Sequence, residues 1–161
     1  MSFPGLELLE LATAELPLVF PYVPGLLGFR ELPALQAALE KIAVLPDCVL
    51  VDGHGLAHPR RFGVACHLGV VTGLPTIGCG KSLLVGEHGQ PALTRGSGRQ
   101  LVHAGEVIGR ALRTRAGTRP VYVSIGHKVD LESAVRIVLR CAPRFRLPEP
   151  IRIADRTAGE T

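Results

Sequence analysis

Short apolar runs separated by turn residues set the pattern of this chain. Residues 48–51 are wholly apolar, and 75–78 form a second short run that suits a buried strand. Between them, the apolar positions of 61–72 suit a helix. The order strand, helix, strand predicts a βαβ unit.

The rest of the chain alternates between the same two kinds of element. The pattern predicts helices over 26–43 and 131–141 and further strands over 101–112 and 120–125. Residues 6–20 fit both templates, and Pro17 and Pro21 favour a strand for the second half because proline disrupts a helix. Residues 144–161 are polar and contain proline, which predicts a surface tail of a single domain, 1–161.

Composition narrows the class of protein. A hydrophobic content of 47% excludes a disordered chain, and an aromatic content of 4% predicts an aliphatic core. The net charge of +4 fits either a polyanionic partner or a solvated charged face. No targeting segment or membrane-length apolar run is present, so we expect a cytoplasmic protein without membrane contact. The four cysteines are widely spaced, which predicts free thiols rather than a zinc site or a disulfide framework.

Asp52 is the first candidate for chemistry. It directly follows the apolar run 48–51, at the strand end where open α/β sheets place their ligands. Glycines on both sides of His54 allow a ligand to approach the backbone closely. Position alone does not distinguish a functional Asp52 from a loop residue that caps the next element.

Two familiar motifs are incomplete. His54 and His58 have the spacing of helical metal ligands, but the neighbouring glycines and Pro59 disfavour a helix, and we expect His58 to hydrogen-bond within its loop. Gly80-Lys81-Ser82 resembles the end of a nucleotide-binding loop, which requires a glycine where Pro75 stands. Lys81 nevertheless follows a strand, where it either meets a phosphate or is solvated.

Three more residues have two possible interpretations each. Tyr22 lies between prolines, which suits a ring inserted into a base stack, although a packed core-edge tyrosine is the ordinary alternative. Glu31 faces a second carboxylate if its helix packs over the strand ends, and is otherwise solvent-exposed. His127 follows the run 121–125 and occupies a second strand end.

Together these segments resemble the endonuclease V family. The resemblance runs in order from about Leu8 to Asp155, and its most specific block begins at Asp52. The matching blocks are Pro21-Tyr22-Val23-Pro24-Gly25-Leu26-Leu27-Gly28-Phe29-Arg30-Glu31, Asp52-Gly53-His54-Gly55-Leu56-Ala57-His58-Pro59-Arg60-Arg61-Phe62-Gly63, Gly80-Lys81-Ser82-Leu83-Leu84 and Ser124-Ile125-Gly126-His127-Lys128-Val129-Asp130-Leu131.

The resemblance implies a ribonuclease-H-like α/β fold, in which helices flank a mixed central sheet. It also implies a DNA-repair endonuclease that uses Mg²⁺ or Mn²⁺ and cuts DNA or RNA on the 3′ side of a deaminated adenine, deoxyinosine or inosine. By position, the metal-binding carboxylates are Glu31 and Asp52, and Lys81 and His127 lie near the scissile phosphate. The implied substrate contacts are the wedge and the base pocket, namely Tyr22, Gly25, Leu27, Gly53, Gly55 and Leu84.

One departure from the family pattern concerns the first strand. That strand carries an Asp in a Gly-Val-Asp-Val-like segment, and nothing in 1–20 resembles it. We therefore expect an N-terminally truncated fold with an exposed sheet edge that promotes self-association, and reduced or absent cleavage. The alternative to an enzyme is a catalytically impaired module that binds deaminated nucleic acid without cutting. A generic α/β metabolic enzyme would require an intact phosphate loop or nucleophile motif.

Overall fold

The computed structural model describes residues 1–17 and 27–159, which form four helices and five strands. The helices are α1 (Leu27–Glu40), α2 (Val64–Thr72), α3 (Leu131–Cys141) and α4 (Glu149–Gly159). The strands are β1 (Val49–Val51), β2 (Thr76–Gly80), β3 (Gly98–His103), β4 (Glu106–Leu112) and β5 (Val121–His127).

The strands form one mixed sheet in the order β1-β2-β5-β4-β3. β1 and β2 are parallel and are joined through α2, so the predicted βαβ unit is confirmed. β5 runs antiparallel to both β2 and β4, and β4 is antiparallel to β3. Because β1 and β2 are parallel, their carboxyl ends lie at the same edge of the sheet, where Asp52 and Lys81 follow them.

Helices cover both faces of the sheet. On one face, α3 and Ile151 of α4 pack on a core that includes Ile77, Leu112 and Val123. On the other face, α1 and α2 form a smaller core, to which β1 contributes Val51. Adjacent side chains of a strand point to opposite faces, so an apolar β1 serves both cores. The core is aliphatic, and the predicted mixed sheet flanked by helices is confirmed.

Three segments differ from the sequence-based predictions. Residues 6–17 contain no strand, and 18–20 lie outside the described residues. The predicted strand 101–112 is a hairpin, because Ala104 and Gly105 adopt φ values of 52° and 80° in a two-residue turn between β3 and β4. The predicted tail contains helix α4, whose Ile151 is buried in the core.

Helix α3 begins as its sequence indicates. The Asp130 carboxylate accepts a hydrogen bond from the Ser133 N–H at 2.8 Å, which satisfies a free donor of the first turn. No helix in the described ranges is long and apolar enough to cross a membrane.

Candidate active site

An ion-paired cluster lies at the carboxyl ends of the parallel strands. Asp52 follows β1, Lys81 follows β2, and Asp155 lies on α4. The Lys81 Nζ is 2.7 Å from Asp52 Oδ2 and 2.5 Å from Asp155 Oδ2. These three side chains are between 36% and 40% exposed, so the cluster is accessible to a ligand in solution.

Glu31 faces the same groove from α1. The groove has a volume of about 820 Å³, and Glu31, Asp52 and Asp155 all line it. Leu32, the next residue of α1, is buried in the core against α2, which fixes the helix over the sheet edge. The structure therefore places Glu31 in the same groove as Asp52, which pairs with Lys81, and adds a third carboxylate from α4.

The groove contains three carboxylates, two of which pair with the Lys81 ammonium. Partial burial raises the pKa of Asp52, the Lys81 ammonium lowers it, and the Asp155 carboxylate raises it, with a net upward shift. Burial, followed by the charge of Asp52, raises the pKa of Glu31. Burial disfavours the charged form of Lys81, but its hydrogen bonds to Asp155 and Asp52 prevail and raise its pKa. The Asp155 charge makes Asp52 harder to ionise and the Asp52 charge does the same to Glu31, so a further cation is favoured here.

The donor chemistry suits a hard divalent cation. In ranges 1–17 and 27–159, no group of three or more His, Cys, Asp or Glu side chains is arranged to hold a metal ion. Asp52 and Asp155 nevertheless bind one positive charge between them in the form of the Lys81 ammonium. Carboxylate oxygens are the ligands that Mg²⁺ prefers. The residues present therefore fit such an ion in charge and in donor type.

Gly53 and Gly55, which follow Asp52, lie so close to neighbouring residues that a side chain at either position would clash. A Cβ on Gly53 would lie 2.7 Å from Val64 Cγ1, and a Cβ on Gly55 would lie 1.9 Å from the Ile125 carbonyl oxygen. The Gly55 N–H donates to Ser124 Oγ at 2.9 Å, and its carbonyl accepts from the Gly63 N–H at 3.0 Å. Both backbone groups of Gly55 are therefore engaged within the protein.

The two loop histidines occupy different environments. The His54 ring lies against Gly80. Among the buried side-chain nitrogen and oxygen atoms of the described residues, His54 Nδ1 lacks a hydrogen-bond partner. His58 is buried, and its Nδ1 accepts a hydrogen bond from the Arg60 N–H at 3.2 Å, which confirms hydrogen bonding within the loop. Burial, followed by the charge of Arg60, lowers the pKa of His58.

His127 lies at the opposite end of the sheet from the cluster, contrary to the prediction. β5 is antiparallel to β2, so His127 is paired with Thr76, whereas Tyr122 is paired with Gly80 beside Lys81. Four residue steps of β2 separate the two ends, about 13 Å at the usual rise of a strand. The His127 side chain packs against Gly69 of α2, so the structure does not place it beside Lys81, and its catalytic role stays a prediction.

The remaining predicted substrate contacts are only partly described. Tyr22 and Gly25 lie outside the described residues, and Leu27 begins α1. Leu84 follows Lys81 by three residues, and its side chain is 51% exposed. An exposed apolar side chain close to Lys81 is available to a ligand, so Leu84 stays a predicted pocket residue.

Sequence reasoning missed two residues of the site. The polar composition of 144–161 predicts a tail at Asp155, although Ile151 and Asp155 are four residues apart and share a helix face. Arg146 donates to the carbonyl oxygens of Lys81, Arg119 and Pro120, which holds the backbone of Lys81 in place. Prolines at the start of an apolar-periodic stretch could have indicated α4, but no local signal points to the Arg146 contacts.

Comparison of the chain with models of known protein families identifies the family to which it belongs. The family model of Endonuclease V matches residues 1–156. The chain belongs to the endonuclease V family. Members of this family are nucleases, which are hydrolases, so the sequence-based recognition is confirmed at that level.

Individual relatives agree with this assignment. Endonuclease V of Trichormus variabilis is 56% identical over 99% of this chain and 72% of its own length, and that of Roseiflexus sp. strain RS-1 is 58% identical with the same coverage. The human ENDOV structure is 41% identical with a TM-score of 0.92, over 99% of this chain and 74% of its own. The Streptomyces avermitilis structure is 48% identical with a TM-score of 0.86, over 89% and 63%.

A third structural relative contains nucleic acid. It is a variant of Ciona intestinalis Endonuclease V in complex with a 23mer DNA that contains an inosine followed by a ribo-adenosine. It is 30% identical to this chain with a TM-score of 0.86, over 99% of this chain and 74% of its own.

Proposed function

We propose that this chain is a metal-dependent endonuclease that cleaves DNA or RNA on the 3′ side of a deaminated adenine. The observation that carries the proposal is the convergence of Asp52 and Asp155 on Lys81, with Glu31 in the same groove. The complex of Ciona intestinalis Endonuclease V with inosine-containing DNA supports the choice of substrate. Mg²⁺ is the proposed cofactor, and Mn²⁺ is a possible substitute.

The carboxylates of the groove would hold the metal ion. Asp52 and Glu31 are the proposed ligands, and Asp155 lies close enough to Asp52 to share one cation with it. When bound, the ion supplies an activated water and charge stabilisation at the leaving oxygen. The protein contributes oxygen donors anchored on three elements, β1, α1 and α4, so that their relative positions do not depend on one flexible loop.

Lys81 would contact the scissile phosphate. Its backbone is held by β2 on one side and by the Arg146 hydrogen bond to its carbonyl on the other. The ammonium is at the end of a flexible side chain and can donate to a non-bridging phosphate oxygen, where it offsets charge that develops during cleavage. Lys81 thus orients the backbone of the substrate beside the carboxylates.

Base recognition would occur beside Asp52. A base must leave the stack before its edge can be read, and Tyr22 is the proposed wedge that fills the gap. Gly25, Leu27, Gly53, Gly55 and Leu84 form the proposed pocket. Since both backbone groups of Gly55 are engaged within the protein, Gly55 contributes by bringing the loop close to β5 rather than by direct hydrogen bonding.

Single-turnover cleavage tests the proposal. Labelled oligonucleotides with one deoxyinosine or inosine, in DNA and in RNA, are incubated with the chain and Mg²⁺ or Mn²⁺, and products and gel mobility are followed. We expect one nick on the 3′ side of the lesion, at a lower rate than in a relative that has the first strand, and none in the adenine control. Asp52→Asn and Asp155→Asn keep the side-chain shape, and each should slow cleavage about 100-fold, since the metal site contributes several kcal/mol to transition-state stabilisation.

Asp47→Asn is the matched control, because Asp47 is an exposed carboxylate that precedes β1. It should cleave at the wild-type rate. Equal cleavage of adenine and inosine, or wild-type rates for Asp52→Asn, would contradict the proposal. Inosine-specific retardation in the gel without any nick would instead establish a binding module and refute the nuclease assignment of this chain.

A further inference from the structure

Lys81 forms two ion pairs with carboxylates from different elements. Its ammonium contacts Asp52 at the end of β1 and Asp155 on α4, at 2.7 and 2.5 Å. Two of the three ammonium hydrogens can be used in these contacts, so at most one remains for any other acceptor. In this arrangement the lysine and a metal ion would compete for the same two carboxylates.

We infer that Lys81 is an internal counter-ion that a divalent metal ion displaces from Asp52 and Asp155, and that the released ammonium then binds the substrate phosphate. The inference rests on the proposed function, because it takes the two carboxylates as metal ligands. It adds an exchange of partners by Lys81. Metal binding would thereby make the phosphate contact available.

The anchoring of Lys81 favours such an exchange. Arg146 donates to the Lys81 carbonyl, and Gly80 is buried in β2, so the main chain is held while the side chain is 39% exposed. A lysine ammonium is a compact charge on a four-carbon stem that rotates readily. Movement of the ammonium therefore requires rotation of one side chain and no change of fold.

The competing explanation is that Lys81 is a scaffold. In that case the ammonium holds Asp52 and Asp155 at the correct separation for the metal ion, and its removal lets the carboxylates repel each other. The two explanations predict opposite changes in metal affinity when the Lys81 charge is removed. Loss of a competitor strengthens metal binding, whereas loss of a scaffold weakens it.

Calorimetric titration of Mg²⁺ and Mn²⁺ into the full chain, without nucleic acid, measures this change in metal affinity. Lys81→Met keeps an unbranched side chain and removes the charge. We expect it to bind metal about tenfold more tightly than the wild type, as two partly exposed ion pairs that compete with the metal are lost. Lys128→Met is the matched control, because Lys128 contacts the Gly73 carbonyl near the other end of the sheet. It should change the affinity less than twofold.

A second measurement does not depend on a variant. Reductive methylation of the wild type is followed by peptide mass spectrometry with and without Mg²⁺. The Lys81 amine should react faster when Mg²⁺ is present, and Lys41 and Lys128 should react at unchanged rates. Unchanged labelling of Lys81, or equal or weaker metal binding by Lys81→Met, would overturn the exchange.

These outcomes separate the exchange from the proposed function. Absence of metal binding in every variant would refute the metal-dependent function itself. Equal metal affinity in wild type and Lys81→Met, together with metal-dependent cleavage by the wild type, would refute the exchange alone. The exchange also requires Lys81→Met to cleave more slowly although it binds metal more tightly, a combination that simple loss of folding does not produce.

Discussion

Replacing Gly55 by alanine tests whether this glycine serves the fold or the ligand. The added Cβ would lie 1.9 Å from the carbonyl oxygen of Ile125 and 2.6 Å from its carbonyl carbon. Ile125 cannot move away freely, because it is paired with Ile77 in the sheet and its carbonyl accepts the Leu56 N–H at 2.8 Å. The loop that follows Asp52 must therefore separate from β5.

The cost can be estimated from the contacts that this separation breaks. Overpacking of a tight contact costs about 1–3 kcal/mol. Weakening of the hydrogen bond from Gly55 to Ser124 adds about 1 kcal/mol. We therefore expect Gly55→Ala to lower the free energy of unfolding by roughly 2–4 kcal/mol, which lowers the melting temperature by roughly 5–15 °C for a chain of this size.

Urea and thermal unfolding followed by circular dichroism measure this change. Gly159→Ala is the matched control, because an added Cβ there meets nothing within 4 Å. Ser124→Ala removes the side-chain acceptor without a clash, so it measures how much of the lost free energy of unfolding comes from the hydrogen bond. If Gly55→Ala unfolds like the wild type but no longer discriminates inosine from adenine, the steric reasoning is refuted and the glycine is required by the ligand.

Two further predictions concern the support of the site. Arg146→Lys keeps the charge but loses the forked contacts to the Lys81 and Pro120 carbonyls, so stability should fall by about 1–3 kcal/mol and cleavage should slow, as measured by thermal melts and nicking rates. Folding lowers the pKa of His58. The neutral side chain therefore contributes its full share of the free energy of unfolding above its ordinary pKa of 6.5, and this share is lost as the pH falls towards the pKa of His58 in the folded protein. The decline in urea midpoint over that range should be smaller in His58→Gln, and an equal decline would contradict the assignment.

Much of the fold was predictable from local pattern. An apolar β1 flanked by turn residues, an apolar helix and a second short strand identify a βαβ unit, because backbone hydrogen bonding and burial on both faces demand those residue types. The same pattern places Asp52 and Lys81 after adjacent parallel strands, and parallel strands bring their carboxyl ends together. The resemblance of the Asp52 block to endonuclease V identified the family from the sequence alone.

The local pattern of residues was insufficient where it fits two structures equally well, such as one strand or a hairpin, and a polar tail or a helix. Residues 101–112 read as one strand, since a turn of Ala104 and Gly105 lacks the Asn-Gly or Asp-Gly signal typical of such hairpins. The polar stretch after residue 144 forms α4, because packing of Ile151 on the sheet stabilises a helix whose exposed side is charged.

By itself, the sequence determined the family, the βαβ unit and the positions of Glu31, Asp52 and Lys81 near the ends or starts of their elements. The tertiary structure alone placed Asp155 beside Lys81 and His127 away from it. Asp155 is 74 residues from Lys81 in the chain and reaches it only because α4 docks beside β1. His127 ends a strand, as predicted, but β5 runs antiparallel to β2 and places it at the opposite edge. Strand direction and helix docking depend on packing between distant segments, which no local pattern of residues encodes.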